Sequence, residues 1–365
     1  MIAPAPALAR SPGPVSAAPV RVMICDDSAV IRGALARILD SDPDIAVVAK
    51  VENGKLAIEQ IRTARVDVVV LDIEMPVMDG MTALPHLLRA DPGVRVIMAS
   101  TLTTRGADIA LRALRLGAAD YVPKPSSIGT VSDEGFKREL IGKVKSLAHR
   151  RRGPGTPPRV RTPIALRPAP PLPARLLAIG SSTGGPQALF TLVQGLGRSV
   201  SVPVVLTQHM PATFTPILAE HLSRLGLMAC TEARDGEALV AGRIYLAPGD
   251  RHLLVEGGRT GFRARITTDP AENFCRPAVD PMLRSAVHAA EGRVLVAILT
   301  GMGHDGLAGT RAVIDAGGAA IAQDEASSVV WGMPGAIATA GLCHAVLPLP
   351  QIAPKLLDML KGARP

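Results

Sequence analysis

Two adjacent serines, Ser181 and Ser182, stand where an apolar run breaks into small residues, LLAIGSSTGGPQALF over 176–190. A glycine-flanked hydroxyl between a strand and a helix can serve as a nucleophile. The turn exposes it above the sheet, and the helix start aims backbone N–H groups toward developing negative charge. Other uses of a glycine-rich turn compete with this one. A phosphate-binding P-loop needs Lys after its last glycine, whereas Pro186 and Gln187 follow here. A dinucleotide turn wants GxGxxG and an acid near the end of the next strand, but VPVVLT runs into Gln208 and His209.

A serine nucleophile needs a base, and His209 leaves that next apolar run at QHMP. An imidazole at the same carboxyl edge of a sheet can accept the serine proton. The third member is a carboxylate that fixes the imidazole tautomer and stabilises its charged form. RVLVAILTGMGHDG supplies Asp305, directly after a buried-type run and a glycine turn. On residue types alone, Ser181 competes with Ser182 and His304 with the assigned histidine. His252, Gly184, Gly185, Met302 and Gly303 accompany these motifs and are expected to shape turns and walls.

A second set of chemical residues lies earlier in the chain. Asp26 and Asp27 follow the run VRVMIC, Asp72 ends VDVVVLD, Ser100 ends VRVIMAS, and Lys124 follows DYVP. Three carboxylates at one sheet edge repel each other, and a hard divalent cation such as Mg²⁺ removes that cost. With a hydroxyl and an ammonium beside them, the group suits phosphoryl transfer onto a carboxylate, Asp72 being the central acceptor candidate.

The elements that must position these residues are legible as alternating periods. Strand-type runs alternate with helix-length segments, as in VRVMIC followed by Ile31, Leu35, Ile38 and Leu39 at helical spacing. The series continues through IAVVAKV, VDVVVL, VRVIMAS and DYV, and resumes later with RLLAIG, VPVVLTQ, RIYLAP, RVLVAIL and GAAIAQ. Such alternation implies βαβ units, so the fold class is α/β with two doubly wound parallel-sheet domains. In sheets of this kind the chemistry collects beyond the carboxyl ends of the strands.

Between them lies GPGTPPRVRTPIALRPAPPLP over 153–173, with 8 prolines and no acid. This reads as a solvated spacer. The expected boundaries are a first domain over 20–139, a basic Pro-rich linker over 140–172 and a second domain over 173–365. The charge follows the same division. Residues 140–172 hold 8 basic and no acidic side chains, which is the whole formal excess of +8.

Both domains are therefore near neutral, and only 2% of residues are aromatic, so nucleic-acid binding is not expected. Cys25, Cys230, Cys275 and Cys343 form no CxxC pair, against a disulfide framework or zinc site and in favour of a reducing compartment. Residues 1–20 read as a disordered leader. The uncharged stretch 326–354 is broken by glycines, prolines and His344, so no membrane span is expected and the location is cytoplasmic.

CDDS, LDIEMPVMDG, MAS and YVPKP together resemble the receiver domain of bacterial two-component response regulators, a flavodoxin-like fold, over about residues 20–139. The resemblance implies that Asp72 is the phospho-acceptor and that Asp26 and Asp27 join it in a Mg²⁺ site. It makes Ser100 the switch hydroxyl, Tyr121 the switch aromatic and Lys124 the phosphate-sensing lysine. GSSTGGP, QHMP, APGDRHLLV and GMGHDG resemble the Rossmann-like catalytic domain of CheB-type protein-glutamate methylesterases. By that alignment Ser182 is the nucleophile, with His209 and Asp305 completing the triad. The implied activity is hydrolysis of glutamate methyl esters on chemoreceptors, with glutamine deamidation and no cofactor for the esterase step. The implied partners are methyl-accepting chemotaxis receptors as substrate and the chemotaxis histidine kinase CheA as phosphodonor. A transcriptional regulator, with its smaller basic helical output, fits the near-neutral second domain poorly; a non-catalytic adaptor of the same fold remains a rival.

Overall fold

The computed structural model describes residues 18–124, 134–151, 164–168, 173–225 and 228–361. Residues 1–17 of the expected leader, and 152–163 and 169–172 of the expected linker, lie outside the described residues.

The first sheet is built from β1 (Val20–Cys25), β2 (Ile45–Val51), β3 (Val68–Asp72), β4 (Arg95–Ser100) and β5 (Asp120–Pro123). All pairs are parallel, in the order β2-β1-β3-β4-β5. Each strand is apolar on both sides because both faces are covered. In β1, Met23 and Cys25 join the core beneath α2 (Gly54–Thr63), α3 (Gly80–Ala90) and α4 (Thr104–Arg115). Val20, Val22 and Ile24 face the opposite core, beneath α1 (Ala29–Asp40) and α5 (Glu134–Arg151). Side-chain caps start α1 to α4: Ser28, Asn53, Asp79 and Thr103 accept from N–H groups of the first turn.

Helix α5 corrects one expected boundary. Residues 140–151, placed in the basic linker on charge, continue a helix whose Leu140, Val144, Leu147 and Ala148 are buried in the core of the first domain. Helical spacing of apolar side chains outweighs the run of basic residues there, and one of the cations, Lys143, is itself buried and paired with Asp120.

The second sheet holds β6 (Leu176–Ser181), β7 (Val204–Gln208), β8 (Ala229–Glu232), β10 (Arg243–Leu246), β13 (Val294–Ile298), β14 (Ala319–Gln323) and β15 (Ala345–Leu347). It is also all parallel, ordered β15-β14-β13-β6-β7-β10-β8. One face packs against α6 (Gly185–Leu196), α7 (Thr215–Ser223) and α11 (Leu349–Lys361). The other packs against α8 (Val279–Ala289), α9 (Leu307–Asp315) and α10 (Met333–Thr339). The doubly wound expectation thus holds for both sheets.

One element departs from it. β9 (Ala238–Leu239), β11 (His252–Gly258) and β12 (Gly261–Thr267) form a small antiparallel sheet in the order β11-β12-β9. Its hairpin turns at GGRTG, where Gly257 and Gly261 adopt positive φ and the Gly261 carbonyl lies where a Cβ on Gly257 would sit.

Among the described residues no helix is long and apolar enough to cross a membrane.

Candidate active site

Strand β6 is where the winding of the second sheet reverses, with β7 on one side and β13 on the other. Crevices form at such switch points. Ser182 follows β6, His209 follows β7 and Asp305 lies beyond β13. Ser181 pairs with Gln208 in the β6–β7 register, so Ser182 and His209 extend adjacent strands, which run about 4.8 Å apart.

The two serines separate clearly. Ser181 is buried and its Oγ donates to Gln208 Oε1 at 2.7 Å. Ser182 is half-buried. Its backbone is clamped: its N–H donates to Thr300 O at 3.0 Å, and its carbonyl accepts from Gly185 N–H at 2.7 Å and Gln208 Nε2 at 2.9 Å. The glycines that follow are dictated by close approach. Gly184 has φ of 73°, and a Cβ on Gly185 would lie 2.0 Å from Gln208 Oε1.

His209 and Asp305 are paired, Nε2 to Oδ2 at 2.7 Å. Asp305 is buried at 2% exposure, and the first turn of α8 points at it. Val279 N–H donates to its Oδ2 at 2.6 Å, and Asp280 and Gly306 N–H donate to its Oδ1 at 3.1 and 2.9 Å. Burial alone would raise this carboxyl, but the His209 hydrogen bond and charge together with those backbone donors hold it down at about 2. His209 shows the mirror image. Burial lowers it, and the Cys275 thiol and the Asp305 carboxylate more than offset that, lifting the imidazole to about 10.

The rival His304 is exposed, and its carbonyl, not its ring, accepts a hydrogen bond from Leu307 N–H. His252 is buried, with Nε2 donating to Pro270 O at 3.1 Å and Nδ1 accepting from Ala278 N–H at 3.2 Å. It braces the loop before α8, in keeping with the wall role expected of it.

Sequence reading passed over that loop. Asn273 Nδ2 donates to Asp305 Oδ1 and to Asp280 Oδ2, both at 3.0 Å, and Cys275 Sγ lies 3.4 Å from His209 Nδ1. Asp280 Oδ1 also accepts from Gly309 N–H at 2.6 Å, and burial raises this carboxyl above its usual range. The available signal was ENFCRPAVD, which sets an amide, a thiol and an acid immediately before and at a helix start.

In the first sheet, Asp26, Asp27 and Asp72 offer carboxylate oxygens that all lie within 4.8 Å of one another. Asp26 and Asp72 are buried and Asp27 is exposed. This is a hard oxygen donor set with an open side, which fits a small divalent cation that keeps some water. Lys124 Nζ lies 2.6 Å from Asp72 Oδ2 and 3.0 Å from Asp26 Oδ2. Burial raises Asp72 to about 6 against the lowering effect of Lys124. Ser100 is buried beside this group, its Oγ donating to Thr101 O at 3.2 Å. Tyr121 does not join the acid group. It is buried against the second domain, stacked on Phe214, with Lys143 Nζ donating to its carbonyl at 2.7 Å.

The two parts meet over further contacts. Gln187 Nε2 donates to Leu114 O and, at 2.6 Å, to Ala118 O. His221 Nε2 pairs with Asp108 Oδ1 at 2.8 Å, and Met302 occupies the space against Gly142 of α5.

Comparison with known proteins agrees with this layout. The CheB methylesterase family model matches residues 177–356, and the response regulator receiver domain model matches 22–133. A protein-glutamate methylesterase/protein-glutamine glutaminase of Paramagnetospirillum magneticum is 53% identical over 374 residues, covering 96% of this chain and 98% of the relative. A second, from Rhodospirillum centenum, is 56% identical over 366 residues, covering 92% and 93%. The crystal structure of the Thermotoga maritima CheB methylesterase catalytic domain is 37% identical, with a TM-score of 0.50, covering 52% of this chain and all of that one. Two parallel-sheet domains in this order, matched along nearly their whole length by such relatives, place the chain in the CheB methylesterase family, with a response-regulator receiver ahead of the esterase domain.

Proposed function

We propose that this chain removes methyl groups from glutamate γ-methyl esters of chemoreceptors, releasing methanol, and deamidates receptor glutamines by the same site. The observation that carries this reading is the paired His209 and Asp305 flanking Ser182 at three adjacent central strand ends. Ser182 Oγ attacks the side-chain carbonyl carbon, and His209 takes its proton through the nitrogen that Asp305 does not hold. The tetrahedral adduct collapses, the bond between the former carbonyl carbon and the methoxy oxygen breaks, and the imidazolium gives its proton to that oxygen, so methanol leaves. Water then attacks the acyl-enzyme with the same base, freeing glutamate and Ser182. With a glutamine substrate the leaving group is ammonia. Asp305 keeps the ring oriented and stabilises its charged form.

The receiver is the control input. Asp72 accepts a phosphoryl group from a chemotaxis histidine kinase, and Asp26, Asp27 and Asp72 would hold Mg²⁺, which would supply positive charge for the transferring oxygens. Lys124 contributes the fixed positive charge at the acceptor. Phosphorylation repacks Ser100 and Tyr121 and loosens the contact of Tyr121 with Phe214, which opens the esterase to a helical substrate. Incubation with a methylated receptor tests the reading: methanol release that rises with a small phosphodonor supports it, and a chain that releases none with either donor state contradicts it.

A further inference from the structure

Both ring nitrogens of His209 are engaged by groups other than the nucleophile. Asp305 Oδ2 holds Nε2 at 2.7 Å and Cys275 Sγ lies 3.4 Å from Nδ1. Among the described residues no hydrogen bond joins Ser182 Oγ to either nitrogen. With Nε2 committed to the carboxylate, only Nδ1 is left to receive the serine proton. We infer that Cys275 is a positioning residue for the esterase base: its thiol occupies the nitrogen that Ser182 must use, and Ser182 displaces it when substrate is engaged.

The thiol is placed there by a braced segment. Asn273, two residues earlier, bridges Asp305 and Asp280, and His252 pins Pro270 and Ala278 on either side. Asn273 and Phe274 both take positive φ, 52° and 64°, which turns the segment so that alternate residues reach the catalytic pair. Phe274, between them, points outward at 83% exposure and carries the Arg138 guanidinium of α5 at 4.2 Å from its ring centre. One tripeptide therefore touches the carboxylate, the receiver helix and the imidazole in turn.

The titratable groups around the ring are few. Asp305 approaches from the turn before α9 and Cys275 from the loop before α8. Asp280, at the start of α8, acts through Asp305, and the Arg284–Glu272 ion pair lies farther out. As an acceptor from Nδ1–H the sulfur favours the protonated ring, as Asp305 does at Nε2. A general base works as neutral imidazole, so a group that favours imidazolium moves the acidic limb of the rate profile to higher pH. Removing the thiol moves that limb down.

This inference rests on His209 being the base, and the experiment separates the two. The pH dependence of kcat/KM for methanol release from a methylated receptor is measured on the full chain as wild type, Cys275→Ala, Cys275→Ser and His209→Gln. The expected result is an acidic limb about one pH unit lower in Cys275→Ala, with Cys275→Ser between it and wild type. A purely structural thiol would change the height of the profile and leave the limb in place. A limb in Cys275→Ala that coincides with wild type, or lies above it, overturns the inference while an inactive His209→Gln leaves the catalytic reading standing. Wild-type activity in His209→Gln sinks that reading instead.

Discussion

Tyr121 of the receiver lies flat on Phe214 of the esterase, ring centroids 4.4 Å apart and planes within 16° of parallel. Both rings are buried, and Phe214 begins the descent from His209 into α7. Tyr121, the proposed switch aromatic, is thus packed on the segment that carries His209, the proposed base. Replacing it with Ala removes the stack and loosens the closed arrangement. A coupling of about 1–3 kcal/mol corresponds to about 5- to 150-fold, so Tyr121→Ala is expected to raise the unphosphorylated esterase rate about fivefold or more. An unchanged basal rate in a folded variant argues against this contact as the brake.

Gln187 tests the same interface from the other side. It caps the carbonyls of Leu114 and Ala118 at the end of α4. Gln187→Ala leaves those acceptors to water only if the interface opens, so basal activity should rise and stimulation by a phosphodonor should shrink. Stimulation of full wild-type size would contradict the assignment.

Ser181 has a structural task that Ser182 lacks. Its hydroxyl satisfies Gln208 Oε1 in a site where Gln208 is 2% exposed. Ser181→Ala should therefore cost about 1–3 kcal/mol of stability, visible as a lower thermal midpoint. A melting curve that superposes on wild type would show that Gln208 finds another donor.

Asp305→Asn keeps the shape and removes the charge. The amide can no longer accept from Val279 N–H while also orienting His209, so kcat should fall by about 10⁴, the magnitude known for the corresponding change in serine proteases. A fall below tenfold would mean that the carboxylate does not govern the imidazole.

The receiver and esterase make different demands on metal. Chelation of divalent cations should abolish stimulation by a small phosphodonor, as should Asp72→Asn, while basal methanol release persists. Loss of basal release on chelation would place a metal in the esterase step.

Sequence alone carried much of this. Strand ends at Asp72 and Gln208 were legible, and those of RLLAIG and RVLVAIL to within one residue, because buried parallel strands are apolar on both faces and give way to small or polar residues soon after. Helix α5 was misread at its second half because local charge was weighed above the spacing of Leu140, Val144 and Leu147. The loop carrying Asn273 and Cys275 was invisible for another reason. It has no periodicity, and its partners Asp305 and His209 are 32 and 66 positions away in the chain. The choice between Ser181 and Ser182 likewise depends on a tertiary partner, Gln208, that strand pairing supplies.

The central claim is that Ser182, served by His209 and Asp305, is the hydrolytic nucleophile. Methanol release from a methylated receptor, measured for Ser182→Ala and Ser181→Ala beside wild type, tests it most directly. The account predicts a loss of about 10⁴-fold or more in kcat for Ser182→Ala and near wild-type turnover for Ser181→Ala. An active Ser182→Ala beside a dead but folded Ser181→Ala would contradict it.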